Sequence, residues 1–236
     1  MSLIKPKRRR GPRLIWVILI PIVVLLALGG YVYLTMSGVD NSNEMKATFV
    51  DYLFYWKEPE GGTYYYLRTS IDGRASLVTL PVYSAIENSK EVLDPVLGPK
   101  ALDLIQGWLG TKSEFSYFSE LSQRAVDGFS SSLGIKASNP LQLIDALAKR
   151  GFKIFDYWKL GSISKEIKEV DNGSTFTSKG IAVLLRRLGS SSRMAYQVET
   201  LTSYPLKVKV GVSGETVNRL YLKRESVESV KRALSN

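Results

Sequence analysis

The sequence contains neither cysteine nor histidine among its 236 residues. The lack of cysteine excludes disulfide bonds and thiol nucleophiles, and the lack of both residues excludes zinc sites of the Cys/His type. Without histidine there is no Ser-His-Asp triad and no imidazole acid–base mechanism. Any chemistry in this chain therefore depends on carboxylates, lysine, arginine, tyrosine or a carboxylate-bound divalent metal.

Acidic residues are absent from the first 39 positions, and the chain begins instead with a basic tail over residues 1–13. This tail holds six of the 32 lysines and arginines. The remaining 26 basic residues face 22 acidic ones, so the rest of the chain contributes only +4 to the net charge of +10. A basic tail beside an apolar segment orients a membrane protein, and we expect no nucleic-acid partner.

The longest apolar run is Leu14–Leu34, LIWVILIPIVVLLALGGYVYL, and it contains no charged residue. As a helix it would extend over about 31 Å, the thickness of a bilayer hydrocarbon core. We predict a transmembrane helix over residues 14–36, an anchor that includes Leu14, Trp16, Pro21 and Leu34. The positive-inside rule places the N-terminus in the cytoplasm and residues 37–236 outside the cell membrane. A cleaved signal peptide and a buried core helix are the alternatives.

After a polar tether at residues 37–46, the pattern predicts a mixed α/β exported part. Its first domain covers residues 47–163, and a smaller α+β module covers residues 164–236, with a boundary near residues 161–168. β-Branched and aromatic runs predict strands at 47–57, 63–71, 74–82, 152–160, 194–201, 206–212 and 218–222. Apolar spacings of three and four, with capping residues, predict helices at 98–109, 116–133, 140–150 and 178–188, and a last one capped by Ser226.

Few residues suggest a binding site. No glycine-rich phosphate loop occurs, no pair of carboxylates has catalytic spacing, and we assign no catalytic residue and no metal ligand. Arg68 and Arg74 flank the predicted turn at Asp72-Gly73 and are candidate phosphate-binding residues, although surface arginines are common. The aromatic runs 54–56 and 64–66 fit either a sugar- or lipid-binding platform or half-buried strands.

Four segments resemble the LytR–CpsA–Psr family of bacterial envelope proteins in their order. They are YYYLRTSID (64–72), SLVTLPVYSAI (76–86), GPKALDLIQGWLG (98–110) and FSELSQRAVDGFSSSLG (118–134). A fifth, IKEVDNGSTFTSKGIAVLLRRLG (167–189), is similar to the start of the LytR C-terminal domain. The resemblance implies a single spanning helix followed by an exported α/β domain and a C-terminal module.

Catalytic members of that family transfer a glycopolymer from polyprenyl pyrophosphate to peptidoglycan, using arginines and a metal-bound aspartate. At the family's Pro-Arg-Asp step this chain has Pro81-Val82-Tyr83, so the resemblance favours a non-catalytic envelope protein without a cofactor. Such a protein would bind or scaffold cell-wall polymer, polyprenyl lipid or a partner protein. The alternatives are an active transferase, in which Arg68, Arg74 and Asp72 bind phosphate and a divalent metal such as Mg²⁺, and a purely structural anchor.

Overall fold

The computed structural model describes residues 13–58, 61–87, 89–201, 206–210 and 215–235. The chain forms two compact units, residues 1–40 and residues 41–236. The basic tail predicted at residues 1–13 lies outside the described residues except for its last position. The expectation of a mixed α/β architecture is confirmed, with helices and two β-sheets in the described part of the chain.

The first unit contains one long helix, α1 (Arg13–Asp40), which includes Pro21. The most apolar part of Leu19–Asp40 has a mean hydropathy of 2.1, and none of it is buried. The helix is therefore long and apolar enough to cross a membrane. Leu34 is exposed, as expected of a lipid-facing side chain. The side chains of Leu14 and Trp16 lie outside the described residues.

The residues expected to form a tether are largely helical. α1 continues to Asp40 instead of ending at residue 36, and a single turn, α2 (Asn43–Lys46), follows. The Ser42 side chain accepts a hydrogen bond from the Met45 N–H and so caps α2. The polar residues 37–46 are thus mostly ordered by backbone hydrogen bonds, which sequence polarity alone does not reveal.

Five strands form the main sheet of the second unit in the order β5-β1-β2-β3-β6. Their bounds are β1 Phe49–Glu58, β2 Gly61–Ser70, β3 Arg74–Pro81, β5 Phe115–Leu121 and β6 Ser192–Gln197. β2 runs antiparallel to β1 and β3, while β5 pairs in parallel with β1 and β6 in parallel with β3. β1, β3, β5 and β6 therefore run in the same direction.

Helices cover both faces of this sheet. The helices are α3 Lys100–Leu109, α4 Gln123–Leu133, α5 Pro140–Arg150, α6 Asp156–Val170, α7 Ser178–Ser190 and α8 Arg224–Ser235. Apolar side chains of α3 and α8 form one core cluster with Leu53, Tyr64 and Val78 of the sheet. On the other face, the Tyr52 hydroxyl donates to the Gly180 carbonyl of α7 at 3.0 Å. The result is a three-layer α/β/α arrangement.

A smaller sheet has the order β4-β8-β7 and uses β4 Ser84–Ile86, β7 Leu206–Val210 and β8 Glu215–Leu222. β4 follows β3 directly and pairs with β8 in parallel. The C-terminal segment therefore contributes to both sheets, through β6 and β8. This interleaving differs from the predicted division into a 47–163 domain and a 164–236 module, because the expected boundary at residues 161–168 lies inside α6.

Two predicted elements are wrong. The N-terminal part of the helix predicted at 116–133 is β5, because these residues pair in parallel with β1 and bury Phe118 and Leu121. The strand predicted at 152–160 is a loop followed by the start of α6, whose buried residues Tyr157, Leu160 and Ile163 have helical spacing. In addition, α8 begins at Arg224 rather than after Ser226, whose hydroxyl accepts from the Glu199 N–H.

Candidate functional site

The sheet topology brings four carboxyl strand ends to one edge. β1, β3, β5 and β6 all end there, at Glu58, Pro81, Leu121 and Gln197. In open α/β sheets, ligands bind in crevices outside the carboxyl ends of the strands. Two cavities of the protein lie at this edge, and we call them together the carboxyl-edge cleft.

The first cavity of the carboxyl-edge cleft measures about 500 Å³, within the size range of small-molecule sites. Its walls come from the ends of β1 and β3, the start of β2 and the middle of β8. The lining residues are Tyr55, Lys57, Glu58, Gly61, Gly62, Pro81, Val82, Tyr83, Pro95, Thr216, Val217, Asn218 and Leu220. One lysine and one glutamate are its charged groups among these residues, so the lining carries no net charge.

Tyr83, in the wall of this cavity, has a left-handed backbone conformation with φ of 55°. It is the sole non-glycine residue with a positive φ in the described part of the chain. The Tyr83 N–H donates to the Leu93 carbonyl at 2.8 Å, and its carbonyl accepts from the Leu220 N–H at 3.3 Å. Such conformations cost about 1–3 kcal/mol for ordinary residues and cluster at functional sites, which singles out Tyr83.

Two further tyrosines lie near Tyr83: Tyr55 also lines this cavity, and Tyr64 packs against Tyr55. The rings of Tyr55 and Tyr64 are 5.0 Å apart, and the Tyr64 hydroxyl donates to the Asp94 carbonyl at 3.2 Å. Burial, reinforced by the nearby Glu120 carboxylate, raises the pKa of Tyr55 to about 12. Burial also raises the pKa of Tyr64. Both phenols therefore stay protonated at neutral pH and act as hydrogen-bond donors.

The second cavity, of about 670 Å³, shares Pro81 with the first in its lining. It is lined by Thr63, Thr79, Pro81, Gln197, Val198, Glu199 and Thr200. Hydroxyl and amide groups dominate this list. The Glu199 carboxylate accepts from Lys223 at 2.7 Å, so its charge is balanced by a neighbour. The carboxyl-edge cleft therefore offers aromatic rings on one side and neutral hydrogen-bonding groups on the other.

The two arginines proposed as phosphate ligands lie elsewhere, near the starts of the parallel strands. Arg68 and Arg74 share a depression of about 20 Å³ with Phe49, Ser70, Ser76, Met194, Ala233 and Leu234. That volume holds roughly one water molecule, too little for a pyrophosphate. Arg74 forms an ion pair with Asp72 at 3.6 Å, at the turn between β2 and β3.

Arg68 is buried and its charge is already matched. Its guanidinium contacts the Asp51 carboxylate at 3.1 Å, donates to the Lys112 carbonyl at 3.2 Å and lies 3.9 Å from the centre of the Phe49 ring. The structure thus brings Arg68 and Arg74 together at one depression. However, a guanidinium that is desolvated and paired with a carboxylate has little capacity left for an anion.

Asp51, the partner of Arg68, is the centre of a polar network that the sequence did not single out. Its carboxylate accepts from Tyr66 at 2.7 Å and from Gln106 at 2.7 Å in addition to Arg68. Burial raises the pKa of Asp51, and the charge of Arg68 and these hydrogen bonds oppose that rise. The signal in the sequence was a lone acid within the apolar run FVDYLFYW. The group is fully buried, so it ties β1 and β2 to α3 rather than meeting a ligand.

In the part of the chain that the structure describes, no three Asp or Glu side chains come together in a way that would hold a metal ion. Val82 and Tyr83, which stand where the LytR–CpsA–Psr pattern has Arg and Asp, lie in the wall of the first cavity.

Comparison with known proteins supports the fold and gives no activity. No family model matches the chain, and no curated protein matches it significantly. The Lin1025 protein from Listeria innocua is similar in structure, with a TM-score of 0.52 and 8% sequence identity over 80% of this chain and 97% of that one. A protein described as a transcriptional regulator (EF0465) from Enterococcus faecalis has a TM-score of 0.45 and 8% identity, over 82% of this chain and 88% of its own.

Proposed function

We propose that the protein is a single-pass membrane protein of the bacterial cell envelope, whose exported α/β unit binds an envelope ligand in the carboxyl-edge cleft without catalysing its transfer. The observation that carries the proposal is the arrangement of the cleft, in which two cavities that share Pro81 in their linings lie where four strands end. The apolar helix α1 supports the anchor, and the basic tail before it supports an extracytoplasmic location for residues 41–236.

The chemistry of the cleft favours a neutral, hydroxyl-rich ligand such as a cell-wall polymer. Aromatic rings such as that of Tyr83 can pack against the apolar faces of sugars, while Thr63, Thr79 and Gln197 can exchange hydrogen bonds with their hydroxyl groups. A pyrophosphate needs several fixed cationic donors. Lys57 is the one cationic side chain that lines the first cavity among the described residues, and Glu58 lies beside it.

Binding can be tested with the full chain reconstituted in nanodiscs and incubated with insoluble peptidoglycan or with polyprenyl phosphate. The informative variant is Tyr83→Gly, because glycine adopts a φ of 55° without strain and removes the ring. We expect retention on peptidoglycan to fall about tenfold, the loss of roughly 1.4 kcal/mol of contact.

A matched control is Tyr196→Ala, since Tyr196 is also half-buried against the same core but does not line either cavity. Unchanged retention of that variant is expected. If the unaltered chain is retained by neither peptidoglycan nor polyprenyl phosphate, the polymer and lipid forms of the proposal fail, and a partner protein is the remaining ligand.

The transferase alternative depends on Arg68, Arg74 and Asp72, and the shared depression is the observation in its favour. Arg74→Ala is the cleaner test, because Arg74 is half exposed whereas Arg68 supports the buried pair with Asp51. Unchanged attachment of envelope polymer in cells carrying Arg74→Ala would exclude this alternative, and a loss of attachment would favour it.

A further inference from the structure

Three apolar side chains form an exposed cluster at the start of α6, far in sequence from the cleft residues. Ile154 is 55% exposed, Phe155 72% and Trp158 39%. The rings of Phe155 and Trp158 lie 6.1 Å apart, so they share one surface. We call these three side chains together the apolar tip. The largest exposed apolar patch of a protein is often functional.

Contacts within the loop between α5 and α6 fix the position of the apolar tip. The Arg150 guanidinium donates two hydrogen bonds of 2.6 Å to the Asp156 carboxylate, and the Lys153 N–H donates to the same carboxylate at 2.7 Å. The Phe152 and Tyr157 rings pack edge to face, with centroids 4.8 Å apart. The loop between α5 and α6 is thus fixed by a buried ion pair, and its outward apolar side chains are not the result of a frayed end.

The exposed charged residues within positions 151–162 are both lysines. Lys153 and Lys159 flank Phe155 in the sequence, and the Lys159 ammonium group also donates to the Ser132 carbonyl at 2.9 Å. Asp156 is the only acid in residues 151–162, and it is buried against Arg150. On α5, the exposed Asp145 is paired with Arg193. Aromatic side chains flanked by lysines suit the boundary between anionic headgroups and acyl chains, where rings and lysine stems are buried and ammonium groups stay hydrated.

We infer that the apolar tip is a second membrane contact, which inserts Ile154, Phe155 and Trp158 into the headgroup region of an anionic bilayer. The occupant is a lipid surface because the same chain carries α1, which is long and apolar enough to hold this unit beside a bilayer. A tethered contact needs little intrinsic affinity, since the anchor supplies a high effective concentration. The contact would restrict how the unit can turn above the membrane.

The absence of cysteine makes this inference directly testable, because a single introduced cysteine has no competing thiol. Ile154→Cys carries an environment-sensitive fluorophore in the full chain, reconstituted in nanodiscs that contain phosphatidylglycerol and a lipid with a nitroxide on its acyl chain. Val96→Cys is the control, because Val96 is 91% exposed and belongs to a different surface. A label at Leu26→Cys in α1 reports insertion of the anchor independently.

We expect nitroxide quenching of the label at Ile154→Cys to exceed that at Val96→Cys at least about threefold, and to weaken when phosphatidylcholine replaces phosphatidylglycerol. In a Phe155→Ser/Trp158→Ser background the excess should disappear, while the label at Leu26→Cys stays quenched. Equal quenching at positions 154 and 96 in both lipids, with position 26 quenched, would overturn the inference. Cross-linking of Ile154→Cys between two copies without lipid quenching would assign the tip to self-association instead.

Discussion

Buried charged side chains in the described part of the chain are held either by an opposite charge or by backbone carbonyl groups. Asp51 and Arg68 join adjacent strands, and Asp156 and Arg150 close the loop before α6. Arg187 of α7 is also buried, and it donates to the carbonyl groups of Thr69 and Ala47. Burial lowers the pKa of Arg187. Sequence patterns treat such residues as surface charges, because the partner of each one is set by tertiary structure.

Removing both charges of the Asp51–Arg68 pair should destabilise the fold less than the two single removals do in sum. Asp51→Asn leaves a buried guanidinium without a counter-charge, and we expect the free energy of unfolding to fall by about 3–5 kcal/mol. The double variant Asp51→Asn/Arg68→Met should lose less than the sum of the two single variants. Denaturant unfolding of all four chains in the same detergent checks this, and strict additivity would contradict the coupling.

Asp156 should make stability depend on pH at the acid end. Burial alone would raise the pKa of its carboxyl group, but the hydrogen bonds from Arg150 and from the Lys153 N–H outweigh burial and lower it below the usual 3.8. An acid whose pKa is lower in the folded state adds stability above its unfolded pKa and loses it as the pH falls through the folded pKa. Asp156→Asn should therefore be less stable at pH 7, by about 3–5 kcal/mol.

The difference between Asp156→Asn and the unaltered chain should shrink as the pH falls from 3.8 through the lower pKa of the folded state, because the carboxyl group is protonated first in the unfolded chain and only then in the folded one. Thermal unfolding at pH 7 and at two acid values measures this change. A difference that is independent of pH would show that the contribution of Asp156 is steric and not electrostatic.

At the scale of elements, the sequence predicts well those helices that have a capping residue at the start and a glycine after the end. α5 is an example, because Asn139 caps its start, Pro140 occupies its first position and Gly151 follows its end. The sequence pattern wrongly predicts a helix at β5 and a strand at the start of α6, because short runs of aromatic and apolar residues fit a strand and a helix equally. Residues 115–121 form a strand because they pair with β1, and α6 begins at Asp156, where the Arg150–Asp156 contact holds the loop before it.

The packing of α7 on the sheet depends on the absence of a side chain at Gly180. A Cβ atom there would lie 2.5 Å from the Tyr117 ring, which stacks on the Tyr52 ring. Gly180→Ala should therefore lower stability by about 1–3 kcal/mol. Gly161→Ala in α6 is the matched control, because a Cβ atom meets nothing within 4 Å there.

On helix propensity alone Gly161→Ala should raise stability by about 0.5–1 kcal/mol. Melting temperatures of the two variants in the full chain test the packing of α7. If both alanines stabilise the protein to the same extent, α7 does not approach the sheet as closely as described here.

At the scale of the whole molecule, the division between an apolar helix and an α/β unit could be predicted from the sequence, whereas the site could not. Twenty-one residues without a charge define α1 locally. The carboxyl-edge cleft instead combines residues of β1 and β3 with residues of β8 that lie more than 100 positions further along the chain, and no local motif joins them. Arg68 and Arg74 were the residues that a local motif could suggest, and their surroundings favour a structural role.

The most direct test of the account asks on which side of the membrane the α/β unit lies. Val96→Cys is labelled with a membrane-impermeant maleimide in intact cells, with Lys5→Cys in the basic tail as the opposite control, since neither has a competing cysteine. We predict that position 96 is labelled in intact cells and that position 5 is labelled only after the membrane is permeabilised. Labelling of position 5 but not of position 96 in intact cells would contradict an anchored extracytoplasmic binding protein.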